Sequence, residues 1–163
     1  MSTELHNIPP VFDKDSKILI LGSFPSVKSR QQAFFYGHPK NRFWRVISEI
    51  LGEPLPVDIP EKRELLLKNH IAVWDVIASC EISGSSDSSI KNVVPNDINS
   101  ILQTADIRAV FVNGKTAEKF YKKYTQSGTE TAAICLPSTS PANAAKSLDD
   151  LILEWKRILE YLY

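Results

Sequence analysis

The stretch that decides the fold runs from Ile18 to Trp44 and reads ILILGSFPSVKSRQQAFFYGHPKNRFW. Its first four residues form an apolar run that predicts a buried strand, and Gly22 with Pro25 predicts a sharp loop where that strand ends. The polar part that follows interleaves cations with aromatic rings. This pattern suits a nucleic acid, because cations contact phosphates and rings stack on bases. A long loop with core aromatics and solvated cations is the alternative interpretation.

Length and composition favour a single domain over residues 1–163, with residues 1–17 as an N-terminal surface segment. The 19 basic and 19 acidic residues cancel, so any nucleic-acid site must be a local patch. Two cysteines, Cys80 and Cys135, cannot form a four-thiolate cluster, and we expect them to be inert reduced thiols. No long apolar run or signal-peptide pattern is present. We therefore expect a cytoplasmic protein that does not enter a membrane.

Four apolar runs alternate with segments of helical periodicity. The predicted strands are Ile18–Leu21, Ile71–Ile77, Ile107–Val112 and Ala132–Leu136. The predicted helices run from a cap at Asn41 to Gly52, from Pro60 to Asn69, from a cap at Asn96 to Leu102, from Lys115 to Tyr124, and from a capping box at Ser147 and Asp150 through Leu162. Residues Ser79 to Asn92 predict a long polar loop. This alternation predicts a mostly parallel sheet with helices on both faces.

The four predicted strands all end in polar or Gly/Pro-rich segments. These begin at Gly22, at Asp75, at Asn113 and at Pro137. Because the carboxyl ends of parallel strands lie at one edge of a sheet, the four segments are expected to converge on a ligand site. Convergence predicts the place of the site and leaves its ligand open.

Three stretches resemble the uracil-DNA glycosylase superfamily, most closely its hypoxanthine-DNA (deoxyinosine) glycosylase branch. Gly22-Ser23-Phe24-Pro25-Ser26 stands at the first motif of that superfamily, followed by Gly37-His38-Pro39-Lys40-Asn41-Arg42-Phe43-Trp44. Residues 72–85 are similar to the hypoxanthine branch around its second strand. Residues 111–117 and 136–143 are similar to its third strand and second motif. The resemblance covers residues 17 to 160.

The resemblance implies a three-layer α/β/α sandwich around a four-stranded, mostly parallel sheet. It also implies a DNA glycosylase that flips a damaged base into a pocket and hydrolyses the bond to C1′ through an oxocarbenium-like transition state. Such chemistry needs no metal or redox cofactor. The implied partner is damaged DNA, double- or single-stranded, and we expect a monomer.

Two residues are the predicted catalytic groups. Many superfamily members carry a polar activating residue in the first motif, where this chain has Phe24. A phenyl ring cannot orient water, and the resemblance to the hypoxanthine branch implies a catalytic asparagine in the neighbourhood of Asn41. Asn41 is therefore the leading candidate, and an amide can donate to a base and accept from water. A helix cap is its alternative role. Asp75 lies in an apolar strand, where it either makes structural hydrogen bonds or faces the pocket to orient water or accept a base N–H.

The other predicted site residues bind base or DNA. Asn113 is expected to read the edge of the base, or else to occupy a turn. Phe24 and Phe35 are expected to stack on the base, with core packing as the alternative. Ser138 replaces the His or Asn that the second motif often has. The remaining base-contacting residues are Gly22 and Ser23, and the predicted DNA contacts are Pro25, Ser26, His38, Lys40, Arg42, Lys115, Ser140, Pro141, Ala142 and Asn143.

Within that group, His38 is interpreted as structural or phosphate-facing, with a general base as the alternative. Lys40 and Arg42 are phosphate contacts by prediction or else solvated cations. Ser140 and Pro141 match a phosphate grip. Ala142 stands where a wedge residue is often found, but alanine is a poor wedge, and Asn143 or a residue of the 26–36 loop is the alternative.

The sequence therefore predicts a monofunctional DNA glycosylase for deaminated bases, chiefly hypoxanthine. No motif lysine matches a Schiff-base nucleophile. The alternatives are a mismatch-type uracil-DNA glycosylase, a DNA-binding module without chemistry, and a small-molecule enzyme on the same sheet.

Overall fold

The computed structural model describes residues 2–163, which form seven strands and eight helices. The strands are β1 (Ser2–Leu5), β2 (Ile18–Gly22), β3 (Ile71–Asp75), β4 (Ile77–Ile82), β5 (Lys91–Pro95), β6 (Ala109–Asn113) and β7 (Ala133–Leu136). The helices are α1 (Val27–Gln32), α2 (Phe43–Leu51), α3 (Ile59–Lys68), α4 (Asn99–Thr104), α5 (Lys115–Tyr124), α6 (Gln126–Thr129), α7 (Leu148–Trp155) and α8 (Leu159–Leu162). Short 3₁₀ turns span Asp87–Ser89 and Lys156–Ile158.

A four-stranded parallel sheet with the order β3-β2-β6-β7 is the centre of the fold. Strand β2 is buried along its whole length, as its continuous apolar sequence predicted. Its side chains alternate between two cores: Ile18 and Ile20 belong to one, Leu19 and Leu21 to the other. The sheet is therefore covered on both faces.

The two cores lie on opposite faces of this sheet. Helices α2, α3, α7 and α8 contribute to the first, which includes Trp44, Leu66 and Trp155. Helices α4 and α5 contribute to the second, with Ile101 and Tyr121. The predicted three-layer α/β/α architecture is confirmed.

A second sheet of three antiparallel strands, in the order β1-β4-β5, lies against the second core. It corrects two expectations. The strand predicted over Ile71–Ile77 ends at Asp75, and the chain passes into β4 of the other sheet. The polar loop predicted over Ser79–Asn92 instead contains the end of β4, a 3₁₀ turn and the start of β5. Ser79 and Glu81 are polar because β4 buries only one face, through Ile77, Cys80 and Ile82.

The N-terminal segment, predicted to lie on the surface, is largely built into the fold; Met1 lies outside the described residues. Strand β1 pairs with β4, Ile8 and Val11 are buried, and Val11 exchanges backbone hydrogen bonds with Val73. This segment therefore reaches the edge of the central sheet and carries His6 to its carboxyl end.

Most of the helices and helix ends predicted from the sequence are confirmed, and two differ. Gly52 ends α2 in a left-handed conformation, and Ser147 with Asp150 forms the predicted capping box. Asn96 does not cap α4; its amide donates to the carbonyls of Asp75 and Ile77 and so fixes the junction between the two sheets. The last predicted helix is interrupted by the 3₁₀ turn before α8.

Candidate active site

A cavity of about 500 Å³ opens at the carboxyl ends of β2 and β6. Strand β2 continues to β3 through helices on one face of the sheet, whereas β6 continues to β7 through α5 on the other. The ends of β2 and β6 are thus the switch point where open α/β sheets bind ligands.

Most of the predicted site residues line this cavity: Gly22, Ser23, Phe24, Pro25, Ser26, Phe35, His38, Asn41, Asp75, Asn113, Ser138, Ser140, Pro141 and Ala142. Lys40, Arg42, Lys115 and Asn143 are not part of the lining. Lining residues that the sequence did not predict include Ser29, Tyr36, Thr139 and Ser85–Ser88. Convergence of the strand ends therefore located the site, while several of its side chains come from elsewhere.

Asp75, at the end of β3, is paired with a histidine that sequence reasoning missed. His6 Nε2 lies 2.8 Å from Asp75 Oδ2, and the two residues' side chains are only 2% and 5% exposed. Because His6 Nδ1 accepts the Ile8 backbone N–H at 3.2 Å, the ring proton belongs on Nε2, which donates to the carboxylate. The burial of Ile8 and Val11 explains why this segment is fixed tightly enough to position His6.

Gly22 allows two polar groups to approach the end of β2. A Cβ at this position would collide with Asp75 Oδ1 and would lie 3.2 Å from the Tyr36 hydroxyl oxygen. The absence of a side chain therefore lets a carboxylate oxygen and a phenol meet at one corner of the cavity.

The Tyr36 ring stacks on Phe43, with centroids 4.0 Å apart and an interplanar angle of 18°. Its hydroxyl is buried and has no hydrogen-bond partner among residues 2–163. Burial and then the charge of Asp75 raise the pKa of this phenol well above its usual range, while the nearby Asn113 side chain opposes the shift without a hydrogen bond of normal geometry. Tyr36 is therefore a neutral donor without an acceptor.

Asn41 lies directly before Arg42, which is the N-cap of α2, and it lines the cavity, so it bonds the first N–H of the helix without being its N-cap. Its Oδ1 accepts the backbone N–H of Phe43 at 2.9 Å. That bond identifies the oxygen of the amide and aims the opposite end, Nδ2, away from the helix. No described residue accepts a hydrogen bond from Nδ2, and Asn41 lines the cavity. An amide donor is thus available to a ligand.

Two phenyl rings form apolar walls of the cavity. Phe24 is 9% exposed and Phe35 is 2% exposed. The Arg30 guanidinium lies 5.3 Å from the centroid of the Phe24 ring and donates to the Gly84 carbonyl at 2.7 Å. Packing of these rings is therefore observed, stacking on a base stays a prediction, and Arg30 contacts the Phe24 ring.

The Pro137–Asn143 loop, which follows β7, is closed by its own hydrogen bonds. Asn113 Oδ1 accepts from Thr139 N and Nδ2 donates to Thr139 Oγ1, both at 3.0 Å. Asn143 Nδ2 donates to the Ser138 carbonyl at 2.9 Å. Thus Asn113, predicted to read a base, engages this loop with both ends of its amide.

Arg42, predicted to contact phosphate, is directed into the same loop. Its guanidinium donates to the carbonyls of Ser140 at 2.8 Å, of Asn143 at 3.0 Å and of Lys146. Its backbone N–H donates to the Thr139 carbonyl at 3.1 Å. This geometry favours a role in positioning the Pro137–Asn143 loop over a contact with DNA.

The rim of the cavity carries polar and charged groups of both signs. Lys40 and Lys115 are exposed, and His38 Nδ1 accepts the Lys40 backbone N–H at 3.1 Å. On another side, Ser85 Oγ accepts the Val27 N–H at 2.9 Å and fixes the Ser85–Ser88 segment against α1. Asp87 in that segment is exposed on its outer side, yet partial burial raises the pKa of its carboxyl, opposed by Thr116.

The sequence model of the uracil DNA glycosylase superfamily matches residues 9–162. The chain belongs to this superfamily. A hypoxanthine DNA glycosylase of Methanosarcina acetivorans is 35% identical over 155 residues, which are 94% of this chain and 96% of the relative. The corresponding protein of Methanosarcina barkeri is 33% identical over 141 residues, 85% of this chain and 89% of the relative.

A solved structure of the same superfamily shares the fold. The solution NMR structure of a Methanosarcina acetivorans protein, named as a candidate uracil DNA glycosylase, superimposes with a TM-score of 0.81 at 32% identity. The match covers 95% of this chain and 96% of that one.

Among residues 2–163, no group of three or more His, Cys, Asp or Glu side chains could hold a metal ion. No helix in that range is both long and apolar enough to cross a membrane.

Proposed function

We propose that this protein is a monofunctional DNA glycosylase that excises deaminated bases, chiefly hypoxanthine, and leaves an abasic site. The observation that carries the proposal is the strand-end cavity, in which the free Asn41 amide and the His6-bound Asp75 carboxylate lie between aromatic walls. A flipped base needs such a pocket, with rings to stack on and polar groups for its edge. The names of both Methanosarcina relatives support hypoxanthine as the substrate.

Asn41 is the first catalytic group. Its free Nδ2 donates to the base as negative charge develops on the leaving group, and the second lone pair of Oδ1 accepts from the attacking water. The Phe43 N–H fixes this amide before substrate arrives, so little reorganisation is needed in the transition state.

Asp75 is the second catalytic group. His6 holds one oxygen of its carboxylate, and Oδ1 remains for a water molecule or a base N–H. Burial of the pair keeps competing solvent away from the carboxylate, which strengthens its electrostatic effect on the reacting base.

The exposed rim supplies the contacts to DNA. Lys40 and Lys115 neutralise phosphates, and the exposed tip at Pro141 and Ala142 faces the gap that the flipped nucleotide leaves. Since the net charge of the whole chain is zero, these contacts act as a local patch. We further propose that the protein acts as a cytoplasmic monomer on double- or single-stranded DNA.

Hydrolysis without strand cleavage is proposed because no lysine belongs to the described lining of the cavity. A lyase would need an amine within reach of C1′ to form a Schiff base. Water is therefore the nucleophile, and the product is an intact strand with an abasic site.

The experiment is single-turnover cleavage of end-labelled duplexes that carry one deoxyinosine or one deoxyuridine, with and without alkali. We expect the inosine strand to break only after alkali treatment. Cleavage of the uridine duplex alone would replace this proposal with a mismatch-type uracil glycosylase. Binding to both duplexes without any cleavage would leave a DNA-binding module.

A further inference from the structure

The Tyr36 hydroxyl is a buried polar group that the resting protein leaves unsatisfied. Buried hydroxyls are almost always hydrogen-bonded, because losing water without a new partner costs free energy. Tyr36 lines the cavity, and no acceptor of normal geometry lies within reach among residues 2–163. The missing acceptor is therefore one that a ligand could bring.

A complementary acceptor stands beside this donor. Asp75 Oδ1 and the Tyr36 hydroxyl oxygen both lie next to the position that a Cβ of residue 22 would occupy, and both residues line the cavity. His6 engages Oδ2, and no donor among the described residues contacts Oδ1. The corner at Gly22 thus presents one donor and one acceptor side by side.

This pair matches the edge that deamination creates. Hypoxanthine carries a carbonyl oxygen, O6, next to a donor, N1–H, and uracil carries O4 next to N3–H. Adenine has the opposite order, an amino donor at C6 and an unprotonated N1, so its N1 lone pair would face the Asp75 carboxylate.

We propose that Tyr36 and Asp75 together recognise the lactam edge of the flipped base, the Tyr36 hydroxyl donating to the carbonyl oxygen and Asp75 Oδ1 accepting the adjacent ring N–H. This inference rests on the proposed glycosylase function and narrows it to bases with that edge. It assigns Asp75 to recognition and leaves water to Asn41. The pair does not separate hypoxanthine from guanine, which differ at C2 and share this edge.

The test uses Tyr36→Phe with duplexes that cannot be cleaved. One duplex carries 2′-fluoroarabino-inosine, and the other carries 2′-fluoroarabino-nebularine, which lacks both O6 and the N1 proton. Tyr161→Phe is the matched control, because Tyr161 packs on Phe111 in the first core and is not part of the described cavity lining. Dissociation constants are measured at one salt concentration for the three proteins.

Wild type is expected to bind the inosine duplex about tenfold more tightly than the nebularine duplex, since buried hydrogen bonds left unmade weaken binding. Tyr36→Phe should lose the share of that preference that the carbonyl contact supplies, by weakening inosine binding alone, while the Asp75 contact keeps the remainder and Tyr161→Phe keeps the whole preference. Equal binding of both duplexes by wild type, or equal losses on both in Tyr36→Phe, would overturn the inference.

The melting temperature of Tyr36→Phe distinguishes a binding role of the hydroxyl from a structural role, because the two roles predict opposite changes. Removing a buried, unpaired hydroxyl is expected to leave the free protein as stable as wild type or more stable. A clear fall in melting temperature for Tyr36→Phe would show that the hydroxyl has a structural partner and would contradict the inference.

Failure of this inference differs from failure of the proposed function. If wild type excises hypoxanthine while Tyr36→Phe binds and cleaves like wild type, only the recognition pair is wrong. If wild type cleaves no inosine duplex, the glycosylase proposal fails first.

Discussion

The Tyr36–Asn41 segment and the Pro137–Asn143 loop both line the same cavity, but they treat their polar groups differently. In the first, the Tyr36 hydroxyl and Asn41 Nδ2 have no partner among the described residues. In the second, Ser138 Oγ accepts from Ser140 N, and Ser140 Oγ accepts from Ala142 N, both at 3.1 Å. One segment holds donors ready for a ligand, and the other uses its hydrogen bonds to fix its own shape.

The difference indicates that the Tyr36–Asn41 segment acts on the reacting groups, whereas the Pro137–Asn143 loop holds the substrate in place. A free donor that is buried, as the Tyr36 hydroxyl is, costs stability and persists where a ligand satisfies it. Internally bonded loops position the substrate and exclude water without touching the reacting atoms. Substitutions in the Tyr36–Asn41 segment should therefore change reaction rate at constant stability, and substitutions that release the Pro137–Asn143 loop should change stability and rate together.

The largest effect is expected for Asn41→Asp. A carboxylate oxygen still accepts from the Phe43 N–H, so the hydrogen bond at the start of α2 and the melting temperature should be retained. The Nδ2 donor is lost. We expect the single-turnover rate on inosine duplexes to fall about 100- to 1,000-fold, the usual effect of removing one donor to developing charge. Full activity with an unchanged melting temperature would show that Asn41 only accepts the hydrogen bond at the start of α2.

Next is Asn113→Ala, which tests the division between the two segments. Loss of both bonds to the buried Thr139 should cost about 1–3 kcal/mol of unfolding free energy in a urea titration. Excision of inosine and uridine should fall by the same factor, because the whole loop shifts. Asn99→Ala, which removes an exposed amide bond to the Gly128 carbonyl, is the control and should change stability by no more than about 0.5 kcal/mol.

A loss confined to one substrate, with stability unchanged, would instead make Asn113 a reader of the base. That outcome would restore the role expected from the sequence, and it would reduce the contrast between the two segments.

A smaller effect, on the salt dependence of DNA affinity, is expected to distinguish Arg42 from Lys40. Arg42 donates to three loop carbonyls, whereas Lys40 is exposed at the rim. Lys40→Met should lower the slope of log affinity against log salt by about 0.9, the contribution of one phosphate contact. Arg42→Met should leave the slope unchanged while lowering the melting temperature. A reduced slope in Arg42→Met would show that Arg42 contacts a DNA phosphate, as the sequence predicted.

The sequence could predict the central sheet because its strands are buried on both faces and read as continuous apolar runs, as Ile18–Leu21 does. It could predict most of the cavity lining, since parallel strand ends must meet at one edge. The small sheet was missed because β4 buries one face only, so Ser79 and Glu81 made it look like a loop.

His6 could not be predicted from its surroundings in the chain. Its partner Asp75 is 69 residues away, and only the tertiary pairing of β1 with β4 brings them together. Tyr36 lies within the Ile18–Trp44 stretch, yet nothing in the local sequence shows that its hydroxyl lacks a partner. Local sequence patterns determine helices and strands, whereas the assembled fold decides whether a polar group finds a hydrogen-bond partner.

The smallest expected effect concerns Asp87, a carboxylate of the cavity lining that is opposite in sign to Lys40 and Lys115, the proposed phosphate contacts. Burial on its inner side raises the pKa of this carboxyl, so folding favours its protonated form and stability falls as pH rises above the ordinary value of 3.8. Asp87→Asn should therefore match wild type at pH 3 and melt slightly higher at pH 7, because solvent on the outer side limits the gain. Removing the charge should also tighten DNA binding about 1.4- to fivefold, the range of about 0.2–1 kcal/mol for exposed charge pairs. If binding stays constant while stability rises, the Ser85–Ser88 rim does not approach the phosphates, and DNA enters from the side of Lys40 and Pro141.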